Sequence, residues 1–342
     1  MKVRVAAVWA AALSATAVLA SSATASADPR EHEPRRGEFS FAVIGDVPYG
    51  DAQIAAFPDR IAQINADPDV RVVDHLGDIK SGSSRCTDEY FAMIRKDFDG
   101  FADPLVYTPG DNEWTDCHRP NNGGYDPLER LAAVRDVFFD RPGRTLGSRT
   151  MAVESQAALG VPENVAYRRA GVSFAAVHVV GSNNSMAPWT GLTAPTPEQS
   201  AEVLGRTAAS IELIRDTFRT AREHGDRAVV LMMQADMFDP TAGDPSFADS
   251  YAFAPIVQAI ARESRSFRRP VYLFNGDSHV YNADQPLASG SPWLSFYGVP
   301  AAADNLRRIT VDGSTGLDDW LKVTVHPGSR EVLSWARVPF AP

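Results

Sequence analysis

Four aspartates, each preceded by a glycine, end four separate apolar runs of the sequence. They are Asp46, Asp78, Asp111 and Asp277, and His279 follows the last of them by two residues. If they converge, two carboxylates about 4 Å apart repel by roughly 4 kcal/mol at an effective dielectric constant near 20, so protons or cations must neutralise them. Oxygen-rich clusters suit magnesium, manganese or calcium. A single aspartate at a strand end is more commonly a turn residue, so the hypothesis depends on all four meeting.

The apolar runs before these aspartates predict buried strands of a parallel sheet. They read FSFAVI, VRVVDH, PLVYTP and PVYLFN, with RAVVLMM before Gln234 as a fifth, and all are short and rich in β-branched or aromatic residues. Asp46 and Asp78 are 32 residues apart, and Asp78 and Asp111 are 33 apart, which fits the length of one strand–helix–strand unit. In sheets wound this way, the ligand crevice lies beyond the carboxyl ends of the strands.

Helical signals occupy the intervals between the runs. Asp126, Pro127 and Glu129 have the residue types of an N-cap, a first-turn proline and a capping box, and Thr87 can cap an earlier helix. A third, long helix is predicted to end at His224. Its core-facing stripe is predicted to be Leu204, Ala208, Ile211, Ile214 and Phe218.

The C-terminal part has a different pattern. Strand-like runs near 293–298, 306–311, 320–326 and 331–337 follow one another without long helices between them, which predicts antiparallel strands. Irregular insertions are predicted near 140–163, 184–200 and 239–250. No linker interrupts residues 39–342, so we expect one domain, a mixed α/β sandwich.

The N-terminus has the pattern of a processing segment. Lys2 and Arg4 form a basic start, an apolar stretch follows, and Ala-Ser-Ala precedes Asp28. This pattern predicts a secretory signal peptide over residues 1–27 and therefore an exported protein, with a retained anchor helix as the alternative. Residues 28–38 are polar and are predicted to be a disordered lead-in.

Charge and cysteine content limit the partners and the redox chemistry. The formal net charge of −10 disfavours nucleic acid or an anionic membrane as a general partner. The chain has two cysteines, Cys86 and Cys117. In an exported chain a disulfide is favoured over two free thiols.

The order of the motifs resembles the calcineurin-like metallophosphoesterases. The family's GD, GD, GNH-D/E, lone His and GHxH motifs correspond to GDVPY, GDIKS, GDNEW, MMQAD and GDSH within residues 41–280. The resemblance implies an α/β fold with two mixed sheets packed as a sandwich between helices, a four-layer αββα arrangement. It also implies two-metal hydrolysis of phosphate esters by a metal-activated water.

When the family's motifs are matched to this sequence position by position, the resemblance implies a metal site composed mainly of oxygen ligands. Asp46 corresponds to the family's first-metal aspartate and Asp78 to its bridging aspartate. Asp111 stands where the second-metal asparagine belongs, Gln234 replaces a second-metal histidine, and Asp277 replaces the first histidine of GHxH.

His279 keeps the second histidine of GHxH, whereas Pro48 stands where many members have a histidine ligand. The exchange of nitrogen for oxygen ligands implies one or two ions of the harder kind, magnesium, manganese or calcium, rather than zinc or iron. A Cys86–Cys117 bond would tie together the loops after the second and third motifs.

The catalytic set is less complete than the metal set. Asp78 would take the bridging role, and Asn112 stands where the family has its proton-donating histidine, although an amide cannot act as a general acid. His75, Glu113 and His118 are the nearest candidates for that acid. The alternatives are a core imidazole for His75 and a surface loop residue for His118.

The sequence therefore predicts an exported, metal-dependent phosphoesterase that acts on a small-molecule phosphate ester. Two other interpretations stay open. Asn112 and Pro48 favour a non-catalytic metal-binding or ligand-binding protein on the same fold. A metal-free hydrolase with paired carboxylates is the third possibility, and it predicts activity that survives chelation.

Overall fold

The structure is a computed structural model that describes residues 37–314 and 318–341. The predicted signal peptide (1–27) and most of the predicted lead-in (28–38) lie outside the described residues. The strands are β1 (Phe39–Ile44), β2 (Val70–His75), β3 (Leu105–Tyr107), β4 (Glu154–Gln156), β5 (Val161–Arg169), β6 (Val172–Ala176), β7 (Ala228–Met232), β8 (Val271–Asn275), β9 (Asn282–Asp284), β10 (Leu306–Thr310), β11 (Asp319–Val325) and β12 (Leu333–Pro339). The helices are α1 (Gly50–Asn65), α2 (Asp88–Phe98), α3 (Pro127–Phe138), α4 (Gly181–Asn184), α5 (Pro197–Glu223), α6 (Ala254–Phe267) and α7 (Pro292–Phe296).

The strands form two mixed sheets, which confirms the expected fold class. One sheet has the order β12-β11-β1-β2-β3 and the other β4-β5-β6-β7-β8-β10-β9. β1, β2 and β3 run parallel to one another, and so do β6, β7, β8 and β10. Antiparallel strands complete both sheets.

Three apolar layers hold the sandwich together. The layer between the sheets contains Phe41, Phe174 and Phe274, whose rings meet edge to face. Buried side chains of α1, α2 and α3 pack on the outer face of the five-stranded sheet, and those of α5 and α6 pack on the seven-stranded sheet. Among the described residues, no helix combines the length and the apolar character required to cross a bilayer.

The predicted helix starts are confirmed. The side chain of Asp126 accepts hydrogen bonds from the backbone N–H groups of Leu128 and Glu129 at the start of α3. Thr87 accepts from the N–H of Tyr90 at the start of α2. Each cap satisfies donors that the first helical turn leaves without a partner, which is why the residue types alone indicated these boundaries.

Three predictions about packing and strands were wrong in whole or in part. The run 293–298 is not a strand but belongs largely to α7, because Ser291 caps a helix there and Pro292 occupies its first turn. The run 306–311 is β10, which pairs parallel with β8 as well as antiparallel with β9. In α5, Leu204 is 71% exposed and Ala208 is also exposed. Ile214 and Phe218 are buried as predicted, and Val203 and Leu213 belong to the same buried stripe.

The parallel strands of the two sheets end at the same edge of the sandwich. β1, β2 and β3 precede Asp46, Asp78 and Asp111, whereas β7 and β8 of the other sheet precede Gln234 and Asp277. The site is therefore assembled from both sheets, at the carboxyl ends of their parallel strands.

Candidate metal centre

The four aspartates of the Gly-Asp pairs lie together. Ligand atoms of Asp46, Asp78 and His279 fall within 4.8 Å of one another, and so do those of Asp78, Asp111 and Asp277. Asp78 belongs to both groups. Its carboxylate is thus shared by two sets of potential cation ligands, and each set draws on both sheets, since Asp277 and His279 follow β8.

The backbone of these residues is unusual. Asp46, Asp78, Asp277 and His279 have φ values of 53°, 56°, 73° and 60°, in the left-handed region that residues with a side chain seldom adopt. Such conformations cost free energy and persist where the surrounding structure requires them, often at functional sites. Here they turn the chain sharply after the strand and direct the side chains toward one another.

Two of the four glycines in the Gly-Asp pairs make space for neighbouring carboxylates. A Cβ at Gly110 would lie 2.0 Å from Oδ1 of Asp78, and a Cβ at Gly276 would lie 2.3 Å from Oδ2 of Asp46. Each of these glycines thus admits the aspartate of a different pair. At these two positions packing alone requires glycine, because a side chain would collide with a carboxylate of the site.

Asp78 is held by a clamp of hydrogen bonds. Its Oδ1 accepts from the backbone N–H of Asn112 at 3.1 Å, and its Oδ2 accepts from the side-chain amide of Asn112 at 2.6 Å. The Tyr49 hydroxyl also donates to Oδ2, at 2.8 Å, and itself accepts from the Asn112 amide at 2.8 Å. Asn112, predicted at the position of the family's acid, therefore orients the predicted bridging carboxylate.

Asp46 is held from the opposite side of the site. Its Oδ1 lies 3.2 Å from Nε2 of His279, and its two oxygens accept from the backbone N–H of Asp277 at 3.2 and 3.1 Å. His279 is part-exposed, whereas Asp46 is fully buried. The first and last motifs of the sequence thus meet in direct contact.

Asp111 contacts two further polar side chains. Its Oδ2 accepts from the Ser182 hydroxyl at 2.9 Å, and its Oδ1 accepts from the amide nitrogen of Gln234 at 3.3 Å. The Gln234 oxygen accepts from the backbone N–H of Gly181 at 2.7 Å. Gln234, a predicted ligand, therefore lies beside Asp111 and faces it with its donor group in this side-chain orientation.

Ser182 is positioned by a short left-handed turn. Ser182, Asn183, Asn184 and Ser185 all have positive φ, between 50° and 69°, so α4 has the opposite hand to an ordinary helix. A left-handed turn costs roughly 1–2 kcal/mol per residue. Neither the periodicity nor the composition of the sequence indicates the handedness of this turn.

Burial and mutual repulsion disfavour the charged forms of the carboxylates. Burial raises the pKa of Asp78 well above its usual range, and the nearby Asp111 carboxylate raises it further. Asp277 has a pKa raised well above its usual range for the same two reasons. Burial also raises the pKa of Asp46, although His279 opposes the shift. The site therefore requires protons or cations, as the sequence analysis expected.

His75 and Glu113, two candidates for the acid, are both enclosed. His75 accepts from the N–H of Gly77 at Nδ1 and lies 2.9 Å from the Val47 carbonyl at Nε2, so both ring nitrogens are occupied by backbone groups. This is the environment of a core imidazole, the alternative that the sequence left open, and burial lowers its pKa to about 4. Glu113 Oε1 accepts from the Tyr107 hydroxyl and from the backbone N–H groups of Gly110 and Asp78. These contacts support a structural role for Glu113.

The remaining candidate acid and the cysteines lie along the same loops. His118 accepts from the backbone N–H of Thr190 at Nδ1 and stacks on Trp189. Cys86 and Cys117 form a disulfide, and the half-cystines are 31 residues apart in sequence, so the expected bond is present. It joins the loops after the second and third motifs.

Sequence reasoning missed one charged residue beside the site. Lys80 follows Asp78 by two residues, has no exposed surface, and donates to the carbonyl oxygens of Asn112 and Ser81. A lysine in a polar loop normally predicts a surface residue. No local signal distinguishes it, because its burial depends on the loops that cover it.

Comparisons with known proteins give structural likenesses alone. No protein-family model and no curated protein matches the chain. Similar solved structures include a purple acid phosphatase from yellow lupin seeds (Lupinus luteus; TM-score 0.48, 11% identity, 88% of this chain and 51% of that chain) and a 5'-nucleotidase precursor from Thermus thermophilus (TM-score 0.42, 10% identity, 88% and 54%). A third is GAP50, the anchor in the inner membrane complex of Plasmodium (TM-score 0.43, 7% identity, 89% and 90%). The chain spans about half the length of the first two. Because all three TM-scores are below 0.5, the fold assignment rests on the sheet topology described above and not on these similarities.

Proposed function

We propose that this protein is a divergent, calcineurin-like metallophosphoesterase that hydrolyses a small-molecule phosphate ester. The observation that supports this most directly is the position of Asp78, whose carboxylate belongs to both groups of potential ligands. A carboxylate shared between two ligand sets is what a pair of cations in one hydrolytic site requires.

The residues of the site fit a divalent cation. The carboxylates of Asp46, Asp78 and Asp277 are buried, and their pKa values are raised. A side chain at Gly110 or Gly276 would collide with one of the site carboxylates. We propose Asp46, Asp78, Asp111, Asp277 and His279 as ligands, with Gln234 joining them if its amide rotates. Because oxygen atoms dominate this set, we propose one or two ions of magnesium, manganese or calcium.

The protein's own groups would hold this arrangement in place during hydrolysis. Tyr49 and Asn112 fix the carboxylate of Asp78, and Ser182 fixes that of Asp111. His279, which is part-exposed, would be the ligand nearest to an incoming substrate. When bound, a divalent cation supplies Lewis-acid activation of water and of the phosphate oxygens.

A second candidate is a non-catalytic cation-binding or ligand-binding protein on the same fold. The observation that favours it is the role of Asn112, which replaces a proton donor and uses its amide to hold Asp78 and Tyr49. The histidine nearest to Asp78 in sequence is His75, and both of its ring nitrogens are hydrogen-bonded to backbone groups. A protein of this kind would bind cations without turning over phosphate esters.

One pair of variants tests both candidates. Asp78→Asn keeps the shape of the side chain and removes its charge. Asp226→Asn is the matched control, because Asp226 is also buried but pairs with Arg168 and Ser173 away from the site. Cation binding by calorimetry and hydrolysis of phosphomonoesters and phosphodiesters are measured with magnesium, manganese and calcium.

We expect Asp78→Asn to lose both cation binding and hydrolysis, and Asp226→Asn to keep both. Binding without hydrolysis in the wild type favours the second candidate. Hydrolysis that survives a chelator and the Asp78 substitution contradicts both, and favours a metal-free mechanism instead.

We also propose that the protein is exported and works outside the cytoplasm. The buried disulfide supports this, because such bonds persist mainly in oxidising compartments. The predicted signal peptide is the second reason. N-terminal sequencing of the protein recovered from the culture medium of its host tests the proposal, and we expect the chain to begin at Asp28.

A further inference from the structure

Lys80 is a fully buried lysine that lies within the acidic site. Its ammonium donates to the Asn112 carbonyl at 2.7 Å and to the Ser81 carbonyl at 2.9 Å. Lysine is almost never fully buried unless its charge is balanced. The two carbonyl oxygens are dipoles and carry no net charge, so the balance must come from groups at a longer distance.

The balancing groups are carboxylates of the site. The Asn112 carbonyl accepts from Lys80, Asn112 itself donates to both oxygens of Asp78, and the backbone N–H of Asp78 donates to Glu113. Asp78 and Glu113 are therefore the carboxylates connected to the ammonium, and their negative charges favour its charged form. Within the part of the chain that the structure describes, Lys80 makes no direct ion pair with any of them. The ammonium therefore attracts the carboxylates without occupying the oxygen atoms that a divalent cation would use.

We propose that Lys80 is a built-in counter-ion of the carboxylate cluster, which stabilises the cation-free protein and weakens the binding of divalent cations. The inference rests on the cation site proposed above. A fixed positive charge lowers the repulsion among the carboxylates before a cation arrives, and it repels the cation once bound. The consequence is a site that releases its cation readily and responds to the surrounding concentration.

A purely structural role for Lys80 makes the opposite prediction. Lys80 holds the carbonyl of Asn112, and Asn112 clamps Asp78. If anchoring were the main role, loss of the ammonium would loosen this clamp and weaken cation binding. If the charge is the main role, its loss strengthens cation binding. The sign of the change separates the two roles.

The test is calorimetric titration of manganese, magnesium and calcium into wild type, Lys80→Met and Lys80→Gln, together with melting temperatures with and without cation. Methionine keeps most of the apolar stem, and glutamine keeps a donor toward the carbonyls without the charge. Lys322→Met is the matched control, because Lys322 is paired with Asp67 and Asp69 away from the site.

We expect both Lys80 variants to bind cations at least about tenfold more tightly than wild type, to melt at a lower temperature when cation-free, and to gain more from added cation. Lys322→Met should leave the affinity unchanged. If the Lys80 variants fold only when cation is supplied, the proposal is also supported, since the metal-free cluster then depends on the ammonium.

Unchanged or weaker binding in both Lys80 variants overturns the proposal, and so does failure to fold with cation present. If the wild type binds cations but hydrolyses no ester, the proposed enzymatic function is wrong. The cation affinities of the wild type and the Lys80 variants still test the present inference in that case. If neither wild type nor the variants bind a cation, both proposals are wrong.

Discussion

The side-chain amide of Asn112 donates to Oδ2 of Asp78 across 2.6 Å, while its backbone N–H donates to Oδ1 of the same carboxylate across 3.1 Å. One residue therefore fixes both oxygens of the aspartate shared between the two ligand groups. Asn112 thus sets the orientation of Asp78, and we expect this preorganisation to favour cation binding because less order remains to be imposed.

Replacing Asn112 with alanine should weaken cation binding. The substitution removes the amide that holds Asp78 Oδ2, and a hydrogen bond to a charged group contributes about 1.5–3 kcal/mol, so we expect an affinity loss of roughly tenfold to a hundredfold. Calorimetric titration measures it. Asn305→Ala is the control, since the Asn305 amide donates to the carbonyls of Ser264 and Arg269. Equal affinities in wild type and Asn112→Ala would contradict a clamping role.

Replacing Gly276 with alanine should disrupt the site through packing alone. The new Cβ would lie 2.3 Å from Oδ2 of Asp46, so the carboxylate must move, and we expect cation binding to fall by more than about tenfold, the effect of a misplaced ligand. Gly205→Ala is the control, because a Cβ there meets nothing within 4 Å and alanine stabilises a helix interior by roughly 0.5–1 kcal/mol. A Gly276→Ala protein with normal cation affinity would show that the close approach is not required.

Cation binding should release protons. Burial raises the pKa of Asp78 and Asp277 in the folded, cation-free protein, so their protonated forms are favoured there. The stability they contribute is complete below the unfolded pKa of about 4 and is lost as pH rises through the folded pKa. A cation displaces these protons.

The apparent affinity should therefore rise as the pH rises above the usual aspartate pKa of about 4, because the raised pKa values keep protons on the cluster there. Calorimetry in two buffers with different ionisation enthalpies counts the protons released, and Asp78→Asn should release fewer. A count of zero in the wild type, or an affinity independent of pH, contradicts the protonated cluster.

His75 should prove structural in a stability experiment. Burial lowers its pKa to about 4 from an unfolded value near 6.5, so the neutral ring stabilises the fold above pH 6.5, and this contribution is lost as pH falls from about 6.5 to about 4. The full difference corresponds to roughly 3 kcal/mol. Urea unfolding of His75→Phe should therefore show a weaker pH dependence across this window than wild type.

The same variant separates the structural role of His75 from a catalytic one. We expect His75→Phe to be less stable at neutral pH, because two backbone groups lose their partner, yet to keep the cation affinity. A normal stability profile combined with a large loss of hydrolysis would instead identify His75 as the acid.

Much of the fold could be predicted because the decisive signals are local. The five apolar runs became β1, β2, β3, β7 and β8, since a short buried strand needs a continuous apolar segment and a breaker after it. Asp126 and Thr87 indicated helix starts because a cap acts within one turn. The segment 293–298 was predicted wrongly because an aromatic run suits a strand or a helix, and the residues that favour the helix, the cap Ser291 and the first-turn Pro292, precede the run.

The sequence by itself determined which residues carry acidic oxygens at strand ends. It also determined that Asp46, Asp78 and Asp111 share one sheet edge, because strand–helix–strand winding depends on local residue types and on the spacing between them. Only the tertiary structure decided that Asp277 and Gln234 approach from a second sheet, that Ser182 reaches Asp111 from a left-handed turn, and that Lys80 is buried beside them. These relationships join residues that are distant in sequence. Their burial and charge depend on how whole layers pack, which no local pattern specifies.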